Sequence, residues 1–163
     1  MIRSTKRKRI FSTKVSNHTV LDLTLAFSII NDLMKDYGAN WGMLDNHIAL
    51  GTTDILNGDV IFDCDLIIQP ENVFWSIVFH ELSHLNCVKG GLLPELHDAP
   101  SPVVTELDRV LYELEVDKLA AETMNIYFPG LTYHSGYENM LIDLENALER
   151  FDKQLKKERS KTK

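Results

Sequence analysis

The stretch from Glu71 to Lys89 constrains this chain more than any other, because almost every face of it is apolar. Pro70 suits the start of a helix, Glu71 favours its positive N-terminus, and Gly90 is placed to end it. Val73, Phe74, Trp75, Ile77, Val78, Phe79, Leu82, Leu85 and Val88 leave no wide polar face, so burial on most sides is expected. The polar exceptions are Ser76, His80, Glu81, Ser83, His84 and Asn86. His80 and His84 stand one turn apart on one face, with Cβ atoms roughly 5–6 Å from each other.

That spacing, His-Glu-x-x-His, lets two imidazoles reach one tetrahedral Zn2+ at about 2.0–2.1 Å. Glu81 then lies beside the open position of the metal, where it can take a proton from bound water. The ordinary alternative is a half-exposed helix with solvated His and Glu side chains. The apolar surroundings argue against it, since two histidines and a glutamate facing the interior are costly unless paired or bound to metal. The metal reading is favoured.

A chain of 163 residues is long enough for one domain with a sizeable core. The expected organisation is a basic arm over residues 1–16, one domain over 17–157 and a basic tail over 158–163. Hydrophobic residues at 44% and charged residues at 25% fit a soluble globular protein. The apolar stretch at 20–30 is interrupted by Asp22 and Thr24, so no membrane span is expected. It also lacks the uninterrupted core and small-residue cleavage site of a signal peptide. With only Cys64 and Cys87, a disulfide framework is not expected and a reducing, cytoplasmic setting is. Cys87 reads as a small packing residue.

The net charge of −7 is segregated. Residues 1–14 carry six basic and no acidic side chains, and residues 150–163 carry seven basic and two acidic. The middle holds four basic and 22 acidic. An acidic body with basic ends does not look like a compact nucleic-acid-binding domain, and contact with nucleic acid is left only to the basic ends. Solvated ends are the ordinary explanation for such runs.

Along the chain, a helix is expected from about Thr19 to Tyr37, capped by Asn17 or Ser16 and stopped by Gly38. Leu23, Phe27, Ile30, Leu33 or Met34, and Tyr37 form its core stripe. Strands follow from Trp41 to Gln69, with turn signals at Asp45-Asn46 and Asn57-Gly58. Val60, Phe62, Cys64, Leu66 and Ile68 alternate as a core-facing set, predicting a small antiparallel sheet. An edge strand beside the metal helix would offer backbone groups to an extended peptide. Asp63 and Asp65 would then favour basic residues, or simply form a wet sheet face. His47 reads as structural.

Ser101 and Pro102 predict the start of a helix over roughly 102–127, with Val103, Leu107, Val110 or Leu111, Leu114 and Ala121 as its stripe. Glu113 and Asp117 sit one turn apart beside that stripe, with Ala120 and Ala121 beyond them. Pro129-Gly130 breaks the chain, and a loop carrying Tyr133 and His134 leads to a last helix at about Tyr137–Lys157. Its buried face is expected to be Met140, Leu141, Leu144, Ala147, Leu148 and Phe151. The fold class is α+β: a small antiparallel sheet with an N-terminal helix, the buried metal helix, a third-ligand helix and a C-terminal helix.

A hydrolytic zinc site usually takes a third protein ligand. The metzincin extension would place Gly three residues and His six residues after His84; those positions hold Cys87 and Gly90, which excludes that class. Glu113 and Asp117 offer Glu-x-x-x-Asp instead, with Glu113 on zinc and Asp117 fixing the tautomer of a ligand histidine. Here the chain resembles the gluzincin peptidases, and in particular the ImmA/IrrE family of small bacterial and phage metallopeptidases. Phe79-His80-Glu81-Leu82-Ser83-His84 and Glu113-Leu114-Glu115-Val116-Asp117-Lys118-Leu119-Ala120-Ala121-Glu122 carry the resemblance, within a loose match over about 20–128. Val116 stands where that family usually has Ala, and Leu119 where it has Phe. The resemblance implies a zincin-like fold and a protein substrate. A second similarity is to SprT-like proteases, whose third ligand is a histidine in the loop after the metal helix. His97 occupies a comparable place, although Asp98 follows it instead of Gly.

The expected function is therefore peptide-bond hydrolysis on a protein or peptide substrate, with Zn2+ on His80, His84 and Glu113 and with Glu81 as general base. Tyr133 and His134 are the candidate donors to the developing oxyanion. The alternatives are a nucleic-acid-associated SprT-like protease with His97 as third ligand, and a zinc-stabilised binding protein without catalysis.

Overall fold

The computed structural model describes residues 12–15, 18–89 and 102–161. The chain divides into two compact units, Met1–Leu92 with Val116–His134 and Leu93–Glu115 with Ser135–Lys163. The elements are β1 (Ser12–Val15), β2 (His18–Leu21), α1 (Leu23–Tyr37), β3 (Asn40–Leu44), β4 (Gly51–Asp54), β5 (Asp59–Asp63), a 3-10 turn (Cys64–Ile68), α2 (Glu71–Lys89), α3 (Pro102–Tyr127) and α4 (Glu138–Lys161). This is an α+β architecture. Among the described residues no helix is long and apolar enough to cross a membrane.

The first unit differs from expectation at its start. Residues 12–15 and 18–21 form an antiparallel ladder, Ser12 opposite Leu21, so the chain is extended where helix was expected from Thr19. α1 begins only after Asp22, whose side chain accepts a hydrogen bond from the Leu25 N–H at 3.1 Å. A carboxylate beside the first-turn donors is a better cap than the upstream Ser16 or Asn17. Gly38 ends α1 at φ 65°, as its position suggested. The buried face of α1 is Ala26, Ile29, Ile30, Leu33 and Met34, while Leu23, Phe27 and Tyr37 lie at its margin.

The three-stranded sheet has the order β3-β5-β4 and is mixed, correcting the antiparallel expectation. The Asn57-Gly58 turn does join an antiparallel pair, Asp54 opposite Asp59, with Gly58 at φ 72°. β3, however, runs parallel to β5, with Trp41 opposite Val60. The Asp45-Asn46 turn does not fold β4 back onto β3. The connection is tied to the end of β5 instead: the His47 N–H donates to Asp63 Oδ2 at 2.5 Å and the Asp63 N–H to the Leu50 carbonyl at 3.0 Å. Those bonds carry the chain past β5 and deliver β4 to its far side.

The alternating run after Gly58 also ends sooner than its pattern suggests. Val60, Phe62 and Leu66 are buried, but β5 stops at Asp63 and Ile68 is exposed. Asp63 is the reason: its side chain accepts the Asp65 N–H at 2.7 Å and so caps the 3-10 turn. Asp63 is thus a buried structural carboxylate and not part of a solvent-facing acidic face.

The core of this unit gathers the α1 face, Val60, Phe62 and Leu66 with Phe74, Trp75, Val78, Phe79, Leu82 and Leu85 of α2 and Ala120, Met124 and Phe128. Its centre is aromatic, with the Trp75 and Phe128 rings 4.7 Å apart and Phe79 and Tyr127 5.5 Å apart. Cys87 is buried, and neither cysteine is in a disulfide. The second unit corrects a further expectation. Leu141, Leu144, Ala147 and Leu148 of α4 are only half-buried, Phe151 is 60% exposed, and no described residue of that helix is buried.

Candidate metal centre

α2 is the floor of the site. Its polar side chains are accommodated where the core would otherwise penalise them. Ser76 and Ser83 return their hydroxyls to the carbonyls of Asn72 and Phe79, at 2.6 and 2.7 Å, and Asn86 reaches Tyr37. That leaves His80, Glu81 and His84 as the chemistry-bearing group. His80 and Glu81 are each 7% exposed and His84 is half-buried. The two imidazole rings lie 4.9 Å apart and nearly perpendicular, so they do not stack and both edges remain directed.

His80 is oriented from α3. Its Nδ1 lies 2.7 Å from Asp117 Oδ1, and Asp117 is itself buried. A carboxylate on Nδ1 favours the tautomer with the proton there and presents Nε2 as the lone-pair donor a metal needs. The same helix carries Glu113 one turn before Asp117. One donor atom each from His80, His84 and Glu113 lie within 4.8 Å of one another. Donors about 2.1 Å from a tetrahedral zinc stand about 3.4 Å from one another. Side-chain rotations that close at most roughly 1.4 Å would bring the three onto one ion, and two imidazoles with one carboxylate are a donor set that suits zinc. The residues present fit the ion.

Glu81 is held from the sheet. The Thr53 hydroxyl is 2.8 Å from Glu81 Oε2 and 3.0 Å from the Glu81 carbonyl oxygen. Two residues earlier on β4, Gly51 faces the same side chain. A Cβ built there would lie 2.8 Å from Glu81 Cγ, 3.0 Å from Oε1 and 3.0 Å from Ile77 Cγ2. Only glycine lets the strand pass this close with Glu81 where it is. Sequence reasoning found neither residue. The expectation of an edge strand near the metal helix was the available signal, but it named no register.

The remaining sequence candidates are placed as follows. The Tyr133 hydroxyl donates to Asp117 Oδ1 at 2.5 Å and lies 3.5 Å from His80 Nδ1. The His134 side chain is exposed, and its backbone N–H donates to Ser76 Oγ at 2.8 Å. His47 Nε2 pairs with the Thr52 hydroxyl at 2.7 Å, a contact within the sheet connection. His97 lies outside the described residues, as do Ser101 and the Gly90 stop. Compared with known proteins, the chain matches no family model, no curated protein and no solved structure.

Proposed function

We propose that this chain is a zinc-dependent metallopeptidase of zincin-like, gluzincin type that hydrolyses peptide bonds in a protein substrate. The observation that carries the proposal is the convergence of His80, His84 and Glu113 donor atoms within 4.8 Å, next to a glutamate held in place by a neighbouring strand. His80, through Nε2, with His84 and Glu113 would hold the ion. Zinc, when bound, supplies Lewis-acid chemistry, acidifying a water toward a pKa of about 7 and polarising the scissile carbonyl.

The chain's own residues do the rest. Glu81 accepts the proton of the attacking water and delivers it to the departing amine nitrogen. The Thr53 hydroxyl, 2.8 Å from Oε2, steadies the carboxylate from the strand. Gly51 keeps a side chain away from Glu81 Cγ and Oε1. β4 is an edge strand of its sheet, so its outward N–H and C=O groups can pair with an extended peptide. That feature favours a peptide over a compact small molecule as substrate.

Glu81→Gln tests the assignment, because it removes the base and no ligand. Zinc content is expected to stay at the wild-type level while hydrolysis of a denatured protein substrate is lost. An active Glu81→Gln variant, or a wild-type protein that binds zinc and cleaves nothing, would overturn the proposal.

A further inference from the structure

Tyr133 ends its hydroxyl beside His80 and Asp117. As a sequence candidate it was a donor to the substrate. In the structure its oxygen sits on the Nδ1 edge of His80, 2.5 Å from Asp117 Oδ1 and 3.5 Å from Nδ1. A metal held by Nε2 would bind at the opposite edge of the ring. The hydroxyl is therefore on the wrong edge to touch a substrate oxygen at the metal, and it is well placed to hold the group behind the ligand.

The chain around Tyr133 is built to keep it there. α3 ends at Tyr127, and Gly130, at φ 99°, reverses the chain after Pro129. The Leu131 N–H closes that turn on the Phe128 carbonyl at 3.1 Å. The next residues follow one stripe of α2. Asn72, Ser76 and His80 are four apart and so lie one above another. Asn72 Nδ2 donates to the Thr132 carbonyl at 3.3 Å, and the His134 N–H donates to Ser76 Oγ at 2.8 Å. Ser76, 1% exposed, spends its own proton on the Asn72 carbonyl, so its oxygen is left to accept. The two bonds pin the backbone on either side of Tyr133. The side chain between them reaches the next turn, where His80 and Asp117 are.

We infer that Tyr133 is a positioning residue of the metal centre: strapped to α2 through Asn72 and Ser76, it fixes Asp117 and through Asp117 the orientation of His80. The inference deepens the metallopeptidase proposal and uses its ligand set, but its readout is metal affinity and not turnover. A buried carboxylate needs more than one donor to be held in a single rotamer. The phenol donates to the same oxygen that meets His80. Removing that donor loosens the carboxylate and with it the imidazole it orients.

The test is zinc affinity of the full chain, measured by competition with a chromophoric chelator at fixed pH. Replacement of a group that orients a ligand typically costs 10–100-fold, and Asp117→Ala is expected in that range. Tyr133→Phe, one step further from the metal, is expected to weaken zinc by roughly 3–10-fold. In an Asp117→Ala background, Tyr133→Phe is expected to cost nothing more, because its effect passes through the carboxylate. A role in packing alone would give the same loss in both backgrounds. Ser76→Ala, which removes the acceptor of the strap and leaves the phenol, is expected to give a smaller loss in the same direction. It carries the test if Tyr133→Phe does not fold.

Wild-type affinity in Tyr133→Phe, or an equal loss with and without Asp117, overturns the inference while leaving the peptidase proposal standing. Zinc bound in the expected pattern by a protein that cleaves nothing does the reverse. A wild-type chain with no affinity for zinc removes both.

Discussion

α2 and α4 are both helices with abundant apolar side chains, and the fold treats them in opposite ways. α2 has apolar residues on nearly all sides, and seven of its apolar side chains, from Phe74 to Cys87, are buried. α4 has a cleaner division into an apolar and a charged face, yet none of its described residues is buried. Its polar side carries exposed ion pairs one turn apart, Lys153–Glu149 at 2.8 Å and Lys156–Asp152 at 2.6 Å. Such pairs contribute about 0.3–0.5 kcal/mol each. A sharp amphipathic pattern marks which face can be covered; it does not measure how much is. The blurred pattern of α2 is the one that signals a core, because a helix enclosed on all sides has no solvent face to keep polar.

The largest effect that would break this contrast is a packing one. Phe79 is 1% exposed and touches Trp75, Tyr127 and Phe128, whereas Phe151 is 60% exposed. Phe79→Ala is expected to destabilise by about 3–5 kcal/mol. Phe151→Ala is expected within about 0.5 kcal/mol of the parent. Urea unfolding of both variants decides it, and comparable losses would mean that α4 is enclosed after all.

A second test sharpens what the polar residues of α2 contribute. His80→Ala should lose zinc and, with saturating metal present, the stability that binding adds to the folded chain. The melting temperature of the parent should rise on adding zinc and that of the variant should not. An identical zinc-dependent rise in both would remove His80 from the ligand set. The charged face of α4 offers a control, since Lys153→Ala should leave the zinc response unchanged.

The smallest expected effect lies in the hairpin that brings β4 to Glu81. Asp54 accepts the Asn57 side-chain amide at 2.7 Å and the N–H groups of Asn57 and Leu56 at 3.2 and 3.0 Å. Those bonds, the amide first, hold its carboxyl below the ordinary aspartate range. A carboxylate with a depressed folded pKa adds stability that is present above the unfolded value of about 3.9 and is lost as pH falls through the folded one. The Leu56 and Asn57 amide resonances should therefore shift on acidification below about pH 4. They should stay still in Asp54→Asn over the same range, and movement there would place the titration elsewhere.

The local part of this protein was legible from residue order. The start of α2, the end of α3, the Asn57-Gly58 turn and the Gly38 stop follow from caps, turn dipeptides and spacing within a few residues. The same is true of the pairing of His80 with His84 and of Glu113 with Asp117, since a helix converts a separation of four into one shared face. The start of α1 was misplaced because Asp22 competes with Asn17 and Ser16 as a cap, and propensity alone did not rank them.

What residue order by itself determined was therefore relations that a single helix enforces, including the two histidines one turn apart on α2 and Glu113 with Asp117 on α3. What only the tertiary structure decided were the relations between elements distant in the chain. Thr53 and Gly51 meet Glu81 because β4 crosses to the far side of β5, and Tyr133 meets Asp117 because a turn lays residues 131–134 along α2. No periodicity reports such meetings. They are set by hydrogen bonds and packing between segments whose separation along the chain carries no repeat, so each becomes visible only when the core has brought the segments together.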